Sequence, residues 1–189
     1  MKNKKGFTFI ELMVVIAIIG IMTAVILVSQ QDTKNARTVQ TAGRNLTATI
    51  RELQNNAVTG KQIVDASSTK VICGYGIIVS GGNSYDLFYN YYDKGTPNAN
   101  CDSVGTTYDN SKSSKYVSAS KFGNNVTTGT SMTVFYSVPY GSVAAADAAN
   151  AFLPLPKPIT LTFNSKNYLV CIYPSGRIEE PGVGVATCP

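Results

Sequence analysis

The 189-residue chain contains no histidine and no tryptophan. Without an imidazole, the acid–base and nucleophile-activating arrangements that rely on histidine are excluded, and so are histidine-containing zinc sites. There is no phosphate-cradling P-loop, no GxGxxG turn and no evident internal repeat. Charge is also scarce: charged residues make up 14% of the chain against 44% hydrophobic. The scarcity is uneven. Leu12 to Val28 carries no charge at all, whereas residues 29–189 are rich in Ser, Thr, Asn, Gly and Tyr. The formal net charge is +5, and Lys2, Lys4 and Lys5 supply three of those charges. The net basicity is therefore concentrated at one end and does not argue for nucleic-acid binding.

The four cysteines, Cys73, Cys101, Cys171 and Cys188, are separated by 28, 70 and 17 residues, so no CxxC pair exists. A four-cysteine zinc site would lack its usual close pairs. Buried free thiols and disulfides are the two remaining readings, and an oxidising compartment favours disulfides. Loop proximity favours Cys73–Cys101 and Cys171–Cys188 among the possible connectivities.

Against these absences stands one long apolar run. Leu12 to Val28 would span roughly 25 Å as a helix, close to the ~30 Å hydrocarbon core of a bilayer, and a start at Phe7 makes it sufficient. The preceding lysines favour a cytoplasmic N-terminus, which places everything after residue 29 outside the cytoplasmic membrane. A secretory signal peptide would need a small-x-small cut site, and MTAVILVSQQ offers none. A plain anchor leaves Glu11 unexplained, because a carboxylate well inside a spanning helix is costly.

Lys4-Lys5-Gly6-Phe7-Thr8-Phe9-Ile10-Glu11-Leu12 resembles the class III signal of type IV pilins and type II secretion pseudopilins. The resemblance implies a leader of residues 1–6, cut between Gly6 and Phe7 by a membrane-embedded prepilin peptidase that then N-methylates Phe7. It further implies that Glu11, fifth in the mature chain, pairs with the positive N-terminal amine of a neighbouring subunit during filament assembly. Opposite charges in contact offset the cost of burying either one. The implied partners are the peptidase, the membrane and other pilin or pseudopilin subunits, joined through the N-terminal helix. No cofactor, no metal and no catalytic residue is implied.

Past the membrane segment (residues 7–28), Ala36, Val39, Ala42, Leu46, Ile50, Leu53 and Ala57 recur at spacings of 3 and 4. They form one stripe of an amphipathic helix over residues 29–58, with Lys34, Arg37, Arg44, Arg51 and Glu52 opposite. The stripe fits packing on a sheet or a homodimeric coiled coil, and the basic face is either solvated or a contact for an acidic partner. Thr59-Gly60 is a stop signal. Asp32 and Gly43 weaken the helix locally. Many pilins carry a helix-breaking proline soon after the apolar segment; Leu27-Val28-Ser29-Gln30 has none, which predicts a straighter helix.

Residues 60–189 read as a β-rich head, giving an α+β fold: a long N-terminal helix packed on an antiparallel sheet. Two hairpins are predicted, one around Ser80-Gly81-Gly82-Asn83-Ser84 and one around Asn164-Ser165-Lys166-Asn167. A strand is predicted at Thr130 to Tyr136, a polar loop at 94–115, and a long connection from Gly141 to Pro158. CGYGIIVSGGNSYDLFYNY and ITLTF…YLVCIYPSGRIEE resemble the first hairpin and closing strands of GspH/FimT-like minor pseudopilins and minor pilins.

Few residues suggest chemistry. Glu179-Glu180 would face opposite sides of a strand and read as a solvated acidic turn. Asp102, Asp109 and Asn110 match no calcium-loop spacing. Tyr85, Tyr89, Tyr91 and Tyr92 could offer an aromatic face to a sugar or base, or form a half-buried strand. Residues 59–189 carry 9 Lys+Arg and 8 Asp+Glu, so the head lacks the basic bias of a DNA binder. The expected role is a structural minor pilin or pseudopilin, not an enzyme. The alternatives are a major pilin of a motility or adhesive fibre, and a minor pilin that binds DNA or glycan.

Overall fold

The computed structural model describes residues 8–61, 69–123 and 125–189, with residues 26–29 described by their backbone alone. One helix, α1 (Phe9–Val58), runs without interruption for 50 residues. Thr8 caps it in an extended conformation. The Thr8 hydroxyl accepts the Glu11 N–H at 3.4 Å, and the Glu11 carboxylate accepts the Thr8 N–H at 2.9 Å. This reciprocal capping box satisfies donors that a helix start otherwise leaves unpaired. At the other end, the Thr59 hydroxyl donates to the Asn55 carbonyl at 2.7 Å. Gly60 then takes a left-handed φ of +61°, a conformation that costs glycine little.

The two halves of α1 differ in burial. Every described side chain from Phe9 to Val25 is exposed, while Val39, Ala42, Leu46, Ile50, Leu53 and Ala57 are buried and Ala36 is half-buried. Lys34, Arg37, Arg44, Arg51 and Glu52 lie on the exposed side. The stripe of small and branched side chains packs on a sheet, so the coiled-coil alternative is not needed to bury it.

That sheet has eight antiparallel strands. They are β1 (Lys70–Gly82), β2 (Ser84–Asp93), β3 (Ser113–Lys121), β4 (Thr127–Ser137), β5 (Val143–Ala146), β6 (Lys157–Phe163), β7 (Lys166–Ile172) and β8 (Ile178–Val183). The order is β3-β2-β1-β4-β6-β7-β8, with β5 beside β4. Both predicted hairpins are present: β1 pairs with β2 through Tyr75↔Tyr89, and β6 with β7 through Ile159↔Val170. The second hairpin turns on Asn164 and Ser165, both with positive φ. Its tip reaches α1, where the Asn164 amide meets Asn35 at 3.4 Å and Lys166 meets Asp32 at 3.6 Å. Alternation along the strands sends Tyr75, Ile77, Val79, Met132, Val134, Tyr136, Tyr168 and Val170 into the core with the α1 stripe. The Tyr168 ring packs on Gly43, so close that an added Cβ would sit 2.1–2.2 Å from two of its ring carbons.

Three segments differ from expectation. The polar loop ends earlier than predicted, because β3 begins at Ser113 and pairs Leu87 with Val117. The presumed connection after Gly141 contains β5, whose alanines pair in the register Phe135↔Ala144. Ala has little strand preference of its own, and a neighbouring strand supplies the pairing. Glu179 and Glu180 lie within β8, not in a solvated turn.

β3 and β8 close the two ends of the sheet. Ala119 in β3 has φ +52°, and its N–H donates to Asp86 at 2.7 Å. β8 carries Pro181, which has no N–H to offer.

The face away from α1 is covered in part by residues 94–112. Asn90, fully buried on that face, donates its amide to the Gly105 and Thr107 carbonyls at 3.1 and 3.0 Å. Its carbonyl accepts the Ser113 hydroxyl at 2.5 Å. Asn90→Ala would strip these partners together, and a destabilisation of about 3 kcal/mol is expected on thermal denaturation. A change near zero would show that the loop is not held by this residue.

Burial pushes the Tyr75 hydroxyl up to about 12, with Tyr89 beside it adding to the shift. Burial and the Glu180 carboxylate raise Tyr168 to about 12 as well. An unfolded tyrosine loses its proton near ~10. The folded form therefore retains protons that the unfolded chain releases, so this stability is intact below roughly pH 10 and drains as the pH climbs toward 12. An absorbance titration should show a late-ionising tyrosine class that appears together with loss of the sheet signal. Ionisation of all 11 tyrosines in one step with the sheet intact would contradict the burial described here.

Candidate functional site

The Glu11 site is built by the first turn of α1. Gly6 and Phe7, the expected processing residues, lie outside the described residues. Thr8 and Glu11 are within them. Among the described residues, the Thr8 N–H and hydroxyl both donate to the same carboxylate oxygen of Glu11, Oε2, each at 2.9 Å. Thr8 was not singled out in the sequence, although Thr-x-x-Glu before an apolar run is the signature of a capping box. Around this carboxylate the helix surface is apolar and uncovered: Phe9 is 75% exposed, and Ile10, Leu12, Val14 and Ile18 are each at least half exposed. The site therefore combines a negative group, held by its own helix terminus, with a helix long and apolar enough to cross a membrane.

The cysteines join as Cys73–Cys101 and Cys171–Cys188, with Cα–Cα distances of 5.1 and 5.7 Å. The first ties the loop at residues 94–112 to β1; the second ties the tail to β7. The structure does not gather the tyrosines of β2 into an open aromatic face. Tyr89 is buried with its ring centroid 5.9 Å from that of Tyr91, and Lys70 sits 3.9 Å over the Tyr91 ring. Glu179 and Glu180 do not meet as a pair either. Glu179 accepts the Tyr173 hydroxyl at 2.8 Å and Glu180 the Tyr168 hydroxyl at 2.5 Å. Asp109 accepts the Ser111 N–H and hydroxyl, closing a local turn. Among the described residues, no group of three or more acidic or cysteine side chains is placed to hold a metal ion.

Residues 1–27 match the family described as the prokaryotic N-terminal methylation motif. Two fimbrial proteins of Pseudomonas aeruginosa are each 41% identical over 71 residues, which is 37% of this chain and 46% of theirs. The type IV wide pilus major component PilA4 of Thermus thermophilus is 36% identical over 94 residues, covering 45% of this chain and 72% of that protein. The chain belongs to the type IV pilin family. This pilin spans a little under half the length of the Pseudomonas relatives it matches. No solved structure matches it. Family membership gives the N-terminal geometry its context: the uncovered apolar helix and its capped glutamate belong to the segment that carries the methylation motif.

Proposed function

We propose that this pilin is a structural subunit of an extracytoplasmic filament of the type IV pilus or type II secretion kind. The observation that carries the reading is α1 itself, whose first half is apolar and uncovered while the apolar stripe of its second half is buried against the head. Such a rod is unstable in water. A bilayer before assembly and neighbouring copies of the same helix after it would both cover it. In this reading prepilin peptidase removes residues 1–6 and methylates Phe7. The helix is a single pass with its N-terminus on the cytoplasmic side, and the head lies outside, where two disulfides can persist. Glu11 then meets the amine of a neighbouring subunit. The near balance of basic and acidic residues over 59–189 gives no support to nucleic acid as the head's ligand.

The resemblance of the two head hairpins to GspH/FimT-like proteins supports a minor subunit. The relationship to a protein named as a major pilus component favours a second reading, the bulk subunit of a fibre. Intact mass and N-terminal sequencing of membrane-derived protein test the core proposal, with N-methylated Phe7 as the expected result. An intact Met1 or a cut beyond residue 20 would overturn it. The amount of this chain in sheared filaments then separates the two readings, a trace for a minor subunit and the dominant band for a major one.

A further inference from the structure

Two clefts lie end to end on the sheet face away from α1. One, of about 440 Å³, is walled by the Cys73–Cys101 disulfide, Thr106 and Tyr140 over a floor of Phe135 and Ser137. The other, of about 410 Å³, lies between Tyr108 and the segment Asp147–Asn150, over Ser80, Ser131 and Thr133. Residues 131, 133, 135 and 137 alternate along β4 on this face, so the floors are continuous and span roughly 20 Å. Phe135 is buried but stands apart from the α1-side core; it stacks on Phe88, which in turn meets Tyr108 edge-on at 5.3 Å. Tyr140 stands at the lip, 87% exposed. The result is a trough between the disulfide-pinned loop on one side and the β4–β5 turn with the segment Asp147–Asn150 on the other.

We propose that this trough binds a neutral, linear polysaccharide. Its polar lining combines six Ser and Thr hydroxyls, which both donate and accept, with the acceptor carboxylates of Asp102 and Asp147 and with two tyrosine rings whose flat apolar faces carry a polar edge. That combination suits a ligand with hydroxyls around its rim and an apolar face. No lysine or arginine lines either cleft, so a polyanion such as nucleic acid finds none of the cations it needs. An extended peptide would add to a free strand edge. The edge of β5 is already taken, since Ala146 bridges Phe152 and the Leu153 N–H donates to the Ala145 carbonyl. Because α1 packs on the opposite face, covering α1 in a membrane or a filament leaves the trough open to solvent. Only that exposure rests on the filament reading.

The test uses the full chain in a detergent without a sugar headgroup. Ligand-observed NMR follows tetrasaccharides of β-linked glucose and of β-linked N-acetylglucosamine beside a single-stranded oligonucleotide and a serine-rich peptide. At least one neutral tetrasaccharide should bind. Ser80→Arg and Ser131→Arg, both at exposed floor positions, should abolish that binding. Tyr140→Ala should weaken it about tenfold, while Tyr92→Ala, outside the trough, should leave it unchanged. Absence of saccharide binding, saccharide binding that survives both arginine variants, or binding of the oligonucleotide or peptide instead would overturn the proposal. Incorporation of Ser80→Arg into filaments is measured in parallel, so failure of the sugar site and failure of the filament reading give different results.

Discussion

Cells carrying Glu11→Ala should process the chain normally yet leave it out of sheared filaments, with recovery at background level. Glu11→Gln should fail in the same way, and this second variant is the more informative. The Glu11 carboxylate has two roles that alanine removes together. One is to close the capping box with Thr8, where its Oε2 accepts both the Thr8 N–H and hydroxyl. The other, proposed here, is to meet the positive amine of a neighbouring subunit. Glutamine supports a capping box almost as well as glutamate but carries no charge. If Glu11→Gln assembles as the parent does, the helix cap is what matters and the charge-pairing proposal falls. Thr8→Val supplies the converse: it weakens the cap and keeps the charge, so it should reduce filament yield far less than either glutamate variant.

Gly43→Ala should destabilise the head by about 2 kcal/mol, seen as a fall in Tm of roughly 5 °C. Helix propensity alone predicts the opposite sign, since alanine is better than glycine in a helix interior by about 1 kcal/mol. The structure reverses the expectation because the new methyl would sit 2.1–2.2 Å from the Tyr168 ring. That ring is buried and tied by its hydroxyl to Glu180, so it cannot swing away without breaking a bond. A stabilised Gly43→Ala would show that the helix does not press on β7 as described. Combining Gly43→Ala with Tyr168→Leu should recover part of the loss, because neighbouring changes that relieve one clash are not additive.

Gly43 also shows where the sequence was legible and where it was not. Read locally, it weakens a helix; only the position of β7 explains its presence there. The α1 stripe was readable because a spacing of 3 and 4 is a local property, and every member except the half-buried Ala36 is buried. The two hairpins were readable for the same reason, through turn residues between branched and aromatic runs. β5 was not, since Val143–Ala146 gains strand structure from β4 and not from its own composition. β3 carries polar and charged residues with little alternation, and it pairs with irregular register. At the N-terminus the motif points to Glu11, whereas the Thr8 partnership depends on where the helix starts, which the apolar run alone does not mark. The trough depends on residues 73, 106, 131 and 147 coming together, and no local pattern announces that.

The edges of the sheet set what kind of polymer this molecule can make. An open strand edge is a template on which further strands add, and an unprotected one would let heads join side to side without limit. Here the left-handed Ala119 interrupts β3, and Pro181 leaves a gap in the donors of β8. The sheet is thus a poor end-group on both sides. In the filament reading proposed above, growth would then run through the helix, and chain addition would stay under the control of whatever delivers one helix to the next.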